Sequence, residues 1–349
     1  MAQNTLRIEQ YETVLYNANQ NPLGIPVSVK QAIANNIGSI IKYPDFYYKK
    51  LKQAISEYVS VPMEQIVIGN GSQDLLRLFT VISAPKKALV LVPSSSEYER
   101  TLANFGCEIV YYNLPEEDFR LNTDEFVESL DSSIDLIILG NPNNPTSQLI
   151  SLEDIKKIVE KAGKINAFLV IDEMYIEFVD DYEQHTAISL LERYNNLAII
   201  RNVSKFFAVP GLRFAYALMN NPAMMRLADN LSNKNNIATL SAIAGIDMFK
   251  DEKYIEESRS MIHTERSLIY RAMQPCRSIK IYQPEANFML VKLLRDDINS
   301  KVVAEHCNLR GIVIRRCDDV RGLGDKYIRF CFMNPKQNDL MVNTILEIV

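Results

Sequence analysis

Two segments rich in glycine, asparagine and proline have the residue types to bind a ligand at the ends of buried strands. Residues 69–74 read Gly-Asn-Gly-Ser-Gln-Asp, between an apolar run and a predicted helix. Glycines in such a turn let backbone N–H groups approach a phosphate at the helix N-terminus. A tight turn with a helix cap explains the residues equally well, and neither a P-loop nor the full dinucleotide-binding pattern is present. Residues 140–146, Gly-Asn-Pro-Asn-Asn-Pro-Thr, form either a ligand-binding loop or simply a stiff turn.

Two further segments supply an acid and an amine. Asp172 ends the apolar run 169–172, where a carboxylate must be desolvated or paired, so it either caps a helix or faces a cation. Tyr175 follows three residues later. Lys205 lies in a mostly apolar stretch, with Arg213 eight residues farther along. A lysine among aromatic residues usually extends to solvent, and a reactive amine is the alternative.

The segments around these residues predict an α/β fold. Several apolar runs do not alternate with polar residues, which is typical of strands buried on both faces of a parallel sheet. Strands are predicted at 66–69, 88–92, 108–113, 135–140, 167–172, 197–201 and 213–219. A charged helical stretch and strands at 288–292, 311–315 and 327–332 predict a smaller α+β domain. We therefore expect a large domain at residues 41–245 and a small domain formed by residues 1–40 and 246–349.

Composition narrows the class of protein. The 349 residues are 47% hydrophobic and 23% charged, which is typical of a globular protein. The net charge of −5, without a basic stripe, argues against nucleic acid or an anionic membrane as a partner. Five scattered cysteines and three histidines lack zinc-ligand spacing, so we predict no metal site and reduced thiols. Without a signal core or a membrane-length apolar run, a cytoplasmic enzyme with a small-molecule substrate is predicted.

Taken together, the order and spacing of the four segments resemble the fold-type I pyridoxal-phosphate enzymes. Within them the chain resembles the branch shared by histidinol-phosphate aminotransferases and threonine-phosphate decarboxylases. The resemblance extends from residues 17–24 through 42–45 to 327–329. It implies pyridoxal 5'-phosphate as the cofactor, a mostly parallel seven-stranded sheet in the large domain and a homodimer.

The resemblance also implies a role for each matching residue. Lys205 would bind the cofactor aldehyde covalently and, in transamination, move the Cα proton of the substrate. Asp172 would pair with the pyridine nitrogen and keep it protonated. The implied cofactor contacts also include Asn144 and Tyr175 at the phenolic oxygen, Gly71, Ser72, Gln73, Ser204 and Arg213 at the phosphate, and Tyr43 at the phosphate of the neighbouring subunit's cofactor. The resemblance implies that Arg329 binds the α-carboxylate of the substrate with its bidentate fork. Arg315 and Asn19 are further candidates for substrate binding.

Three positions depart from the family pattern. Ser95 stands where the family commonly has an aromatic residue stacked on the pyridine ring, so either Tyr98 replaces that residue or one face of the ring lacks a stacking partner. Ser147 replaces the glycine that usually closes the Asn-Pro loop, and Asn202 replaces the threonine usual three positions before the lysine. The implied lysine, aspartate and phosphate-binding arginine are all present, so we expect a working enzyme.

Two reactions stay open at the level of sequence. The first is transamination of a small, phosphorylated amine or amino acid, of the histidinol-phosphate type. The alternative is decarboxylation of an O-phospho-amino acid, and a regulator that binds the cofactor without turnover ranks third. The two reactions differ in which bond at Cα stands perpendicular to the ring, an orientation that sequence does not determine. The candidates to bind a substrate phosphate, against the alternative of solvated surface arginines, are Arg315 as the preferred residue and Arg316, Arg321 and Arg7.

Overall fold

The computed structural model of the chain describes residues 13–349, so Arg7 lies outside the described residues. The strands are β1 Val14–Leu15, β2 Ile66–Gly69, β3 Lys87–Val92, β4 Glu108–Asn113, β5 Leu136–Gly140, β6 Phe168–Asp172, β7 Leu197–Asn202, β8 Ala215–Met219, β9 Ile279–Ile281, β10 Phe288–Leu293, β11 Ile312–Val313, β12 Arg315–Arg316 and β13 Tyr327–Cys331. The helices are α1 Val27–Asn35, α2 Lys49–Val59, α3 Ser72–Ser83, α4 Ser96–Asn104, α5 Thr123–Ser129, α6 Leu152–Lys164, α7 Val203–Phe206, α8 Pro222–Leu231, α9 Thr239–Met248, α10 Glu252–Met273, α11 Ser300–Asn308 and α12 Pro335–Leu346.

The central sheet contains seven strands in the order β2-β8-β7-β6-β5-β3-β4. The neighbours from β4 to β7 pair in parallel, and β8 is antiparallel to both β7 and β2. The predicted α/β fold with a mostly parallel seven-stranded sheet is therefore confirmed. Because the parallel strands end at one edge, β5, β6 and β7 bring Gly140, Asp172 and Asn202 close together there.

Both faces of this sheet are covered, which explains why its strands are apolar throughout. Leu89 and Leu91 of β3 pack in one core, whereas Val90 packs in a second core on the opposite face with side chains of α3 and α4. Alternate residues of a strand point to opposite faces, so a sheet between two helical layers needs apolar residues at nearly every position. At the start of α6, the Ser151 side chain caps the helix by accepting a hydrogen bond from the backbone N–H of Asp154 (3.1 Å).

A second sheet contains β12, β13, β10 and β9 in that order, all antiparallel. The predicted single strand at 311–315 is wrong in detail: β11 pairs in parallel with β1, and β12 pairs with β13. The N-terminal segment thus joins the C-terminal part of the chain through β1. The seven-stranded sheet lies within residues 41–245 and the four-stranded sheet within 246–349, and the domain boundary at 245 stays a prediction.

Within residues 13–349, no helix has the length and apolar character needed to cross a bilayer. In the same part of the chain, no group of three or more histidine, cysteine, aspartate or glutamate side chains could hold a metal ion. The predicted cytoplasmic location stays a prediction.

Candidate active site

A cavity of about 210 Å³ opens at the sheet edge where the parallel strands end. Its walls come from the first turns of α3 and α4, the end of β6, and the segment from β7 to Arg213. The lining residues are Ser72, Gln73, Leu76, Ser95, Glu97, Tyr98, Asp172, Met174, Ile200, Asn202, Ser204, Lys205, Pro210 and Arg213. The structure thus brings together six of the predicted site residues, namely Ser72, Gln73, Asp172, Ser204, Lys205 and Arg213.

One end of the cavity has the features of a phosphate site. Gly71 precedes α3, a helix of 12 residues, and no side chain caps this helix. The N-terminal N–H groups of α3 are therefore available to an anion. The Arg213 guanidinium lies directly over Gly71, whose φ is +84°, and a Cβ there would lie 2.5 Å from Arg213 Nη2. Asn202 Nδ2 donates to Ser72 Oγ (3.0 Å), and Asn202 Oδ1 accepts from the N–H of Ser204 (2.9 Å).

Replacing Gly71 by alanine is expected to weaken cofactor binding. The new Cβ would displace the Arg213 guanidinium and would hold an L-residue at a left-handed φ. Loss of one charge-assisted contact is worth about 1.5–3 kcal/mol, or roughly 10- to 100-fold in the dissociation constant. Fluorescence titration of the apo-protein with pyridoxal phosphate measures this constant. The matched control is Gly324→Ala, since Gly324 has open space around its Cβ position; equal binding by Gly71→Ala and wild type would contradict the assignment.

Asp172 contributes a carboxylate to the lining of the same cavity. Tyr98, itself buried, donates its hydroxyl to Asp172 Oδ2 (2.9 Å), and the N–H of Met174 donates to Oδ1 (3.1 Å). Gly140 makes room for this contact, because a Cβ there would lie 3.1 Å from the Tyr98 hydroxyl. Burial raises the pKa of Asp172 to about 6, against the effect of these hydrogen bonds. A cation placed beside Asp172 would bring the pKa down again and stabilise the anion.

The sequence left open whether Tyr98 replaces the stacking aromatic residue that is missing at Ser95. Both residues line the cavity, and the Tyr98 hydroxyl is committed to Asp172. Ser95 contributes only its small side chain to the wall. Tyr98 therefore supports the carboxylate, and Ser95 presents a small side chain where the family commonly has an aromatic ring.

Lys205 supplies the amine. Its Nζ donates to the backbone carbonyl of Ala18 (2.7 Å), and its side chain passes through mostly buried surroundings in α7. Burial, together with the positive charges of Arg329 and Arg213, lowers the pKa of Lys205 to about 8. A substantial fraction of the side chain is thus neutral near physiological pH, as a nucleophilic amine requires.

The segment 17–21 passes over Lys205 and connects it to other predicted residues. Asn19 adopts φ +52° and donates from Nδ2 to the Tyr175 hydroxyl (3.3 Å). Its carbonyl accepts from Asn287 Nδ2 (3.1 Å). The backbone N–H of Asn21 donates to the Lys205 carbonyl (3.0 Å). Sequence reasoning missed both the Ala18 carbonyl and Asn287, because neither a backbone atom nor a lone asparagine gives a local signal.

Arg329 lies against the same segment. Its Nη2 donates to the Asn17 carbonyl (2.8 Å), Nη1 donates to Asn144 Oδ1, and the guanidinium lies over Phe288. Arg329 is 8% exposed, and its Nε has no hydrogen-bond partner among the described residues. A buried donor without a partner is costly, so the free Nε favours an anionic ligand at this place.

Among the described residues, the three other candidate arginines for a substrate phosphate have carboxylate partners. Arg315 stands opposite Arg329 in the sheet, and its Nη2 donates to both oxygens of Asp319 (2.7 and 2.9 Å). Arg316 pairs with Asp318, and Arg321 pairs with Glu99. Neither Arg315 nor Arg329 lines the 210 Å³ cavity. Four other predicted residues do not line this cavity but border it through the contacts described above, namely Gly71, Asn144, Tyr175 and Asn19. Tyr43 also lies outside the lining and is 83% exposed.

The sequence model of the family Aminotransferase class I and II matches residues 12–345. The chain therefore belongs to this family of pyridoxal-phosphate-dependent enzymes. It is 30% identical to the threonine-phosphate decarboxylase of Salmonella typhimurium, over 100% of this chain and 94% of that one. It is also 30% identical to the histidinol-phosphate aminotransferase of Methanosphaera stadtmanae, over 98% and 92% of the two chains. The solved histidinol-phosphate aminotransferase of Clostridium acetobutylicum superimposes with a TM-score of 0.89 at 32% identity, covering 96% of this chain and 99% of that one.

The residues present fit pyridoxal phosphate. The bare α3 N-terminus under Arg213 suits the phosphate, and the space that Gly71 leaves would be lost to any side chain. Asp172 supplies an anion for the pyridine nitrogen, and Lys205 supplies an amine of lowered pKa for the aldehyde. All three features line or border one cavity. Membership of the family confirms the predicted cofactor, and the geometry of the cavity is consistent with it.

Proposed function

We propose that the protein is an aminotransferase that acts on a small, phosphorylated amine or amino acid of the histidinol-phosphate type. The observation that carries the proposal is the Lys205 amine, whose pKa is lowered to about 8 by burial and which donates a hydrogen bond to the carbonyl of Ala18. The carbonyl accepts one hydrogen bond from the amine and leaves the nitrogen lone pair of the neutral form free to accept a proton. That arrangement suits a group that both attacks an aldehyde and moves a proton at Cα.

The residues of this chain would have the following roles in the reaction. Bound pyridoxal phosphate supplies an electron sink for the negative charge that develops at Cα of the substrate. Asp172, supported by Tyr98, holds the proton on the pyridine nitrogen. Lys205 takes the Cα proton and returns it, and Arg329 binds the carboxylate or another anionic group of the substrate through its free Nε edge. Tyr175, buried beside Asn19, and Asn144 are the candidates for the phenolic oxygen.

Decarboxylation of an O-phospho-amino acid is the second candidate. It is favoured by the similarity to the threonine-phosphate decarboxylase, which covers the full length of this chain. Both reactions use the same amine and the same acid. They differ in whether the C–H or the C–COO⁻ bond of the substrate is held perpendicular to the cofactor ring.

The visible absorption spectrum separates the two candidates. An aminotransferase is expected to lose the visible band of the lysine-bound cofactor when excess L-glutamate is added. An unchanged band with glutamate, together with release of CO₂ from O-phosphothreonine or O-phosphoserine, would support the decarboxylase instead. If L-glutamate, O-phosphothreonine and O-phosphoserine all fail to react with a protein that carries the cofactor, both proposals are wrong.

Arg315 is the proposed contact of a substrate phosphate. It stands directly opposite Arg329 on β13, and opposite residues of paired strands share one face of the sheet, so one phosphate over that face could accept donors from both side chains. The Asp319 carboxylate now accepts hydrogen bonds from Nη2 of Arg315 and would have to move away. An exposed pair of this kind is worth about 1 kcal/mol or less, so a doubly charged phosphate can displace it.

A homodimer is also proposed. The segment 37–47 exposes large apolar side chains, including Ile40 (66%), Ile41 (85%), Tyr43 (83%) and Tyr47 (72%). Monomeric proteins rarely expose a contiguous apolar surface of this kind. A second copy of the chain would cover it and would place Tyr43 at the neighbouring subunit, as the family resemblance implies.

Replacing Ile41 by aspartate is expected to convert the dimer to a monomer, because a charge would be buried without a partner at the centre of the covered surface. Sedimentation equilibrium at micromolar protein concentration measures the oligomeric state. Leu309→Asp is the matched control, since Leu309 is also exposed (80%) but belongs to the C-terminal part of the chain. A dimer that survives Ile41→Asp, or a wild-type monomer, would contradict the proposed interface.

A further inference from the structure

Ser147, which stands where the family usually has glycine, makes contacts for which a glycine has no side chain. It is fully buried in the loop between β5 and α6, and its φ is +63°. Its Oγ accepts hydrogen bonds from the backbone N–H groups of Ala286 (2.9 Å) and Glu285 (3.2 Å). Glycine adopts a positive φ without steric cost. The chain thus gives up that freedom at this position and gains a buried hydrogen-bond acceptor.

The loop that carries Ser147 is itself held firmly. The N–H of Ser147 donates to the Asn143 carbonyl (2.7 Å), and Asn143 Nδ2 donates to the carbonyl of Pro93, just after β3 (2.9 Å). The next residue, Gln148, donates from Nε2 to the Gln283 carbonyl (2.8 Å). The loop is therefore fixed to the end of β3 and is joined, through two neighbouring side chains, to the connection between β9 and β10.

The connection between β9 and β10 leads directly to the residues that contact Arg329. The ring of Phe288, the first residue of β10, lies 5.4 Å from the Arg329 guanidinium, and Leu290 of β10 stands opposite Arg329 on β13. From the other side Asn144, which belongs to the loop of Ser147, accepts a hydrogen bond from Arg329 Nη1. Two parts of the chain thus hold Arg329, and the hydrogen bonds of Ser147 join these two parts.

A second anchor limits what the loss of these hydrogen bonds would do. Arg266 Nη1 donates to the carbonyls of Glu285 (2.6 Å) and Phe178 (3.1 Å), so it holds the same connection independently of Ser147. Removal of the Ser147 hydroxyl is therefore expected to shift the connection and not to release it. A shift of about 1 Å in a group that binds the substrate is enough to weaken its contact.

We infer that Ser147 is a positioning residue whose hydroxyl fixes Arg329 relative to Asn144 and thereby sets the affinity for the carboxylate of the substrate. The inference rests on the proposed function, because that function assigns the substrate carboxylate to Arg329. Ser147 lies outside the lining that the described residues form around Lys205. Its effect on the substrate thus passes through Arg329.

The test uses two variants that both lose the hydroxyl, Ser147→Gly and Ser147→Ala. Glycine also removes the unfavourable φ and is the usual residue of the family, so this variant is expected to fold, whereas alanine keeps the φ restriction. The probes are L-alanine and ethylamine, which is alanine without its carboxylate. Their affinities are read from the shift of the visible band of the cofactor-loaded protein.

Both variants are expected to lower the alanine-to-ethylamine affinity ratio about fivefold to tenfold, because a charge-assisted contact is weakened. The affinity for ethylamine is expected to stay within about twofold of wild type, since ethylamine lacks the group that Arg329 binds. Ser300→Ala is the matched control. Ser300 is also fully buried, but its hydroxyl has no hydrogen-bond partner among the described residues, so this variant is expected to keep the wild-type ratio.

Amide hydrogen exchange of the apo-protein gives a second readout that needs neither cofactor nor turnover. The peptide that covers residues 283–290 is expected to exchange faster in both Ser147 variants, because the N–H of Ala286 loses its acceptor. Ser300→Ala is expected to leave the exchange of this peptide at the wild-type rate.

An unchanged alanine-to-ethylamine ratio in Ser147→Gly, or unchanged exchange of residues 283–290, would overturn the inference. Equal loss of affinity for alanine and ethylamine would also overturn it, since the carboxylate would then play no part. These outcomes leave the proposed function intact as long as the wild-type band responds to the amines. A wild-type band that neither amine shifts would refute the proposed function, and the inference with it.

Discussion

Replacing Lys205 by alanine is expected to lower turnover at least about 10³-fold, because the variant loses both the covalent anchor of the cofactor and the base at Cα. Steady-state kinetics with the substrate identified by the spectral assay measures the loss. A small primary amine such as methylamine, added to Lys205→Ala, is expected to restore part of the activity. A purely structural role of Lys205 would not respond to the added amine. Turnover at the wild-type level in Lys205→Ala would show that another residue is the catalytic base.

The same residue makes a prediction about pH. Burial lowers the pKa of Lys205 to about 8, so the amine is mostly neutral above that pH and mostly protonated below it. The rate at which the apo-protein captures pyridoxal phosphate is expected to fall about tenfold for each pH unit below 8. Stopped-flow absorbance from pH 5.5 to 9 measures this rate. A midpoint near pH 10.5, the ordinary value for lysine, would contradict the burial argument.

Replacing Asp172 by asparagine is expected to lower kcat/KM at least about 10²-fold. A unit charge near 4 Å from the pyridine nitrogen contributes roughly 4 kcal/mol at an effective dielectric of about 20, so the ring nitrogen would lose its proton without it. Steady-state kinetics of the variant, loaded with cofactor at saturation, measures the effect. Tyr98→Phe is the milder comparison, since it removes one hydrogen bond to Asp172 and keeps the charge; its expected loss is about tenfold.

Stability distinguishes a functional from a structural role of Asp172. Burial raises the pKa of this carboxyl to about 6, above the ordinary value of 3.8. The folded apo-protein thus binds the proton more tightly than the unfolded chain, and its free energy of unfolding falls as the pH rises from about 4 to 6. At pH 7 the neutral asparagine avoids this cost, so apo Asp172→Asn is expected to unfold at the wild-type temperature or higher. Large destabilisation with unchanged kcat/KM would assign Asp172 a structural role instead.

The sheet was predictable from sequence because its strands are buried on both faces. Runs such as 136–139 and 168–171 are apolar throughout, and their ends mark where polar residues cluster. The last strand of the large sheet begins at Ala215 and not at Arg213. Arg213 has φ +51° after the turn Pro210–Leu212, a conformation that the apolar pattern does not encode. The predicted strand 311–315 divides into two because its halves pair with different partners, β1 and β13.

The site was predictable where a residue type carries a chemical requirement. The lysine, the aspartate, the arginine and the glycine-containing turn follow from the chemistry of the cofactor and from the family resemblance, and six of the predicted residues line one cavity. Contacts between distant parts of the chain were not predictable. The Ala18 carbonyl is 187 positions from Lys205, and Tyr98 is 74 positions from Asp172. Whether Arg315 would be free or paired depended on Asp319, four residues away, which has no distinctive pattern in the sequence.

Reduction of the cofactor-loaded protein with borohydride, followed by peptide mass spectrometry, shows directly whether Lys205 binds the cofactor. The reduction fixes the bond between the cofactor aldehyde and the amine that holds it. The cofactor mass is expected on the peptide containing Lys205, and Lys205→Ala is expected to acquire no such label. A label on another lysine, or no label in a protein that binds pyridoxal phosphate, would contradict the assignment of this cavity as the active site.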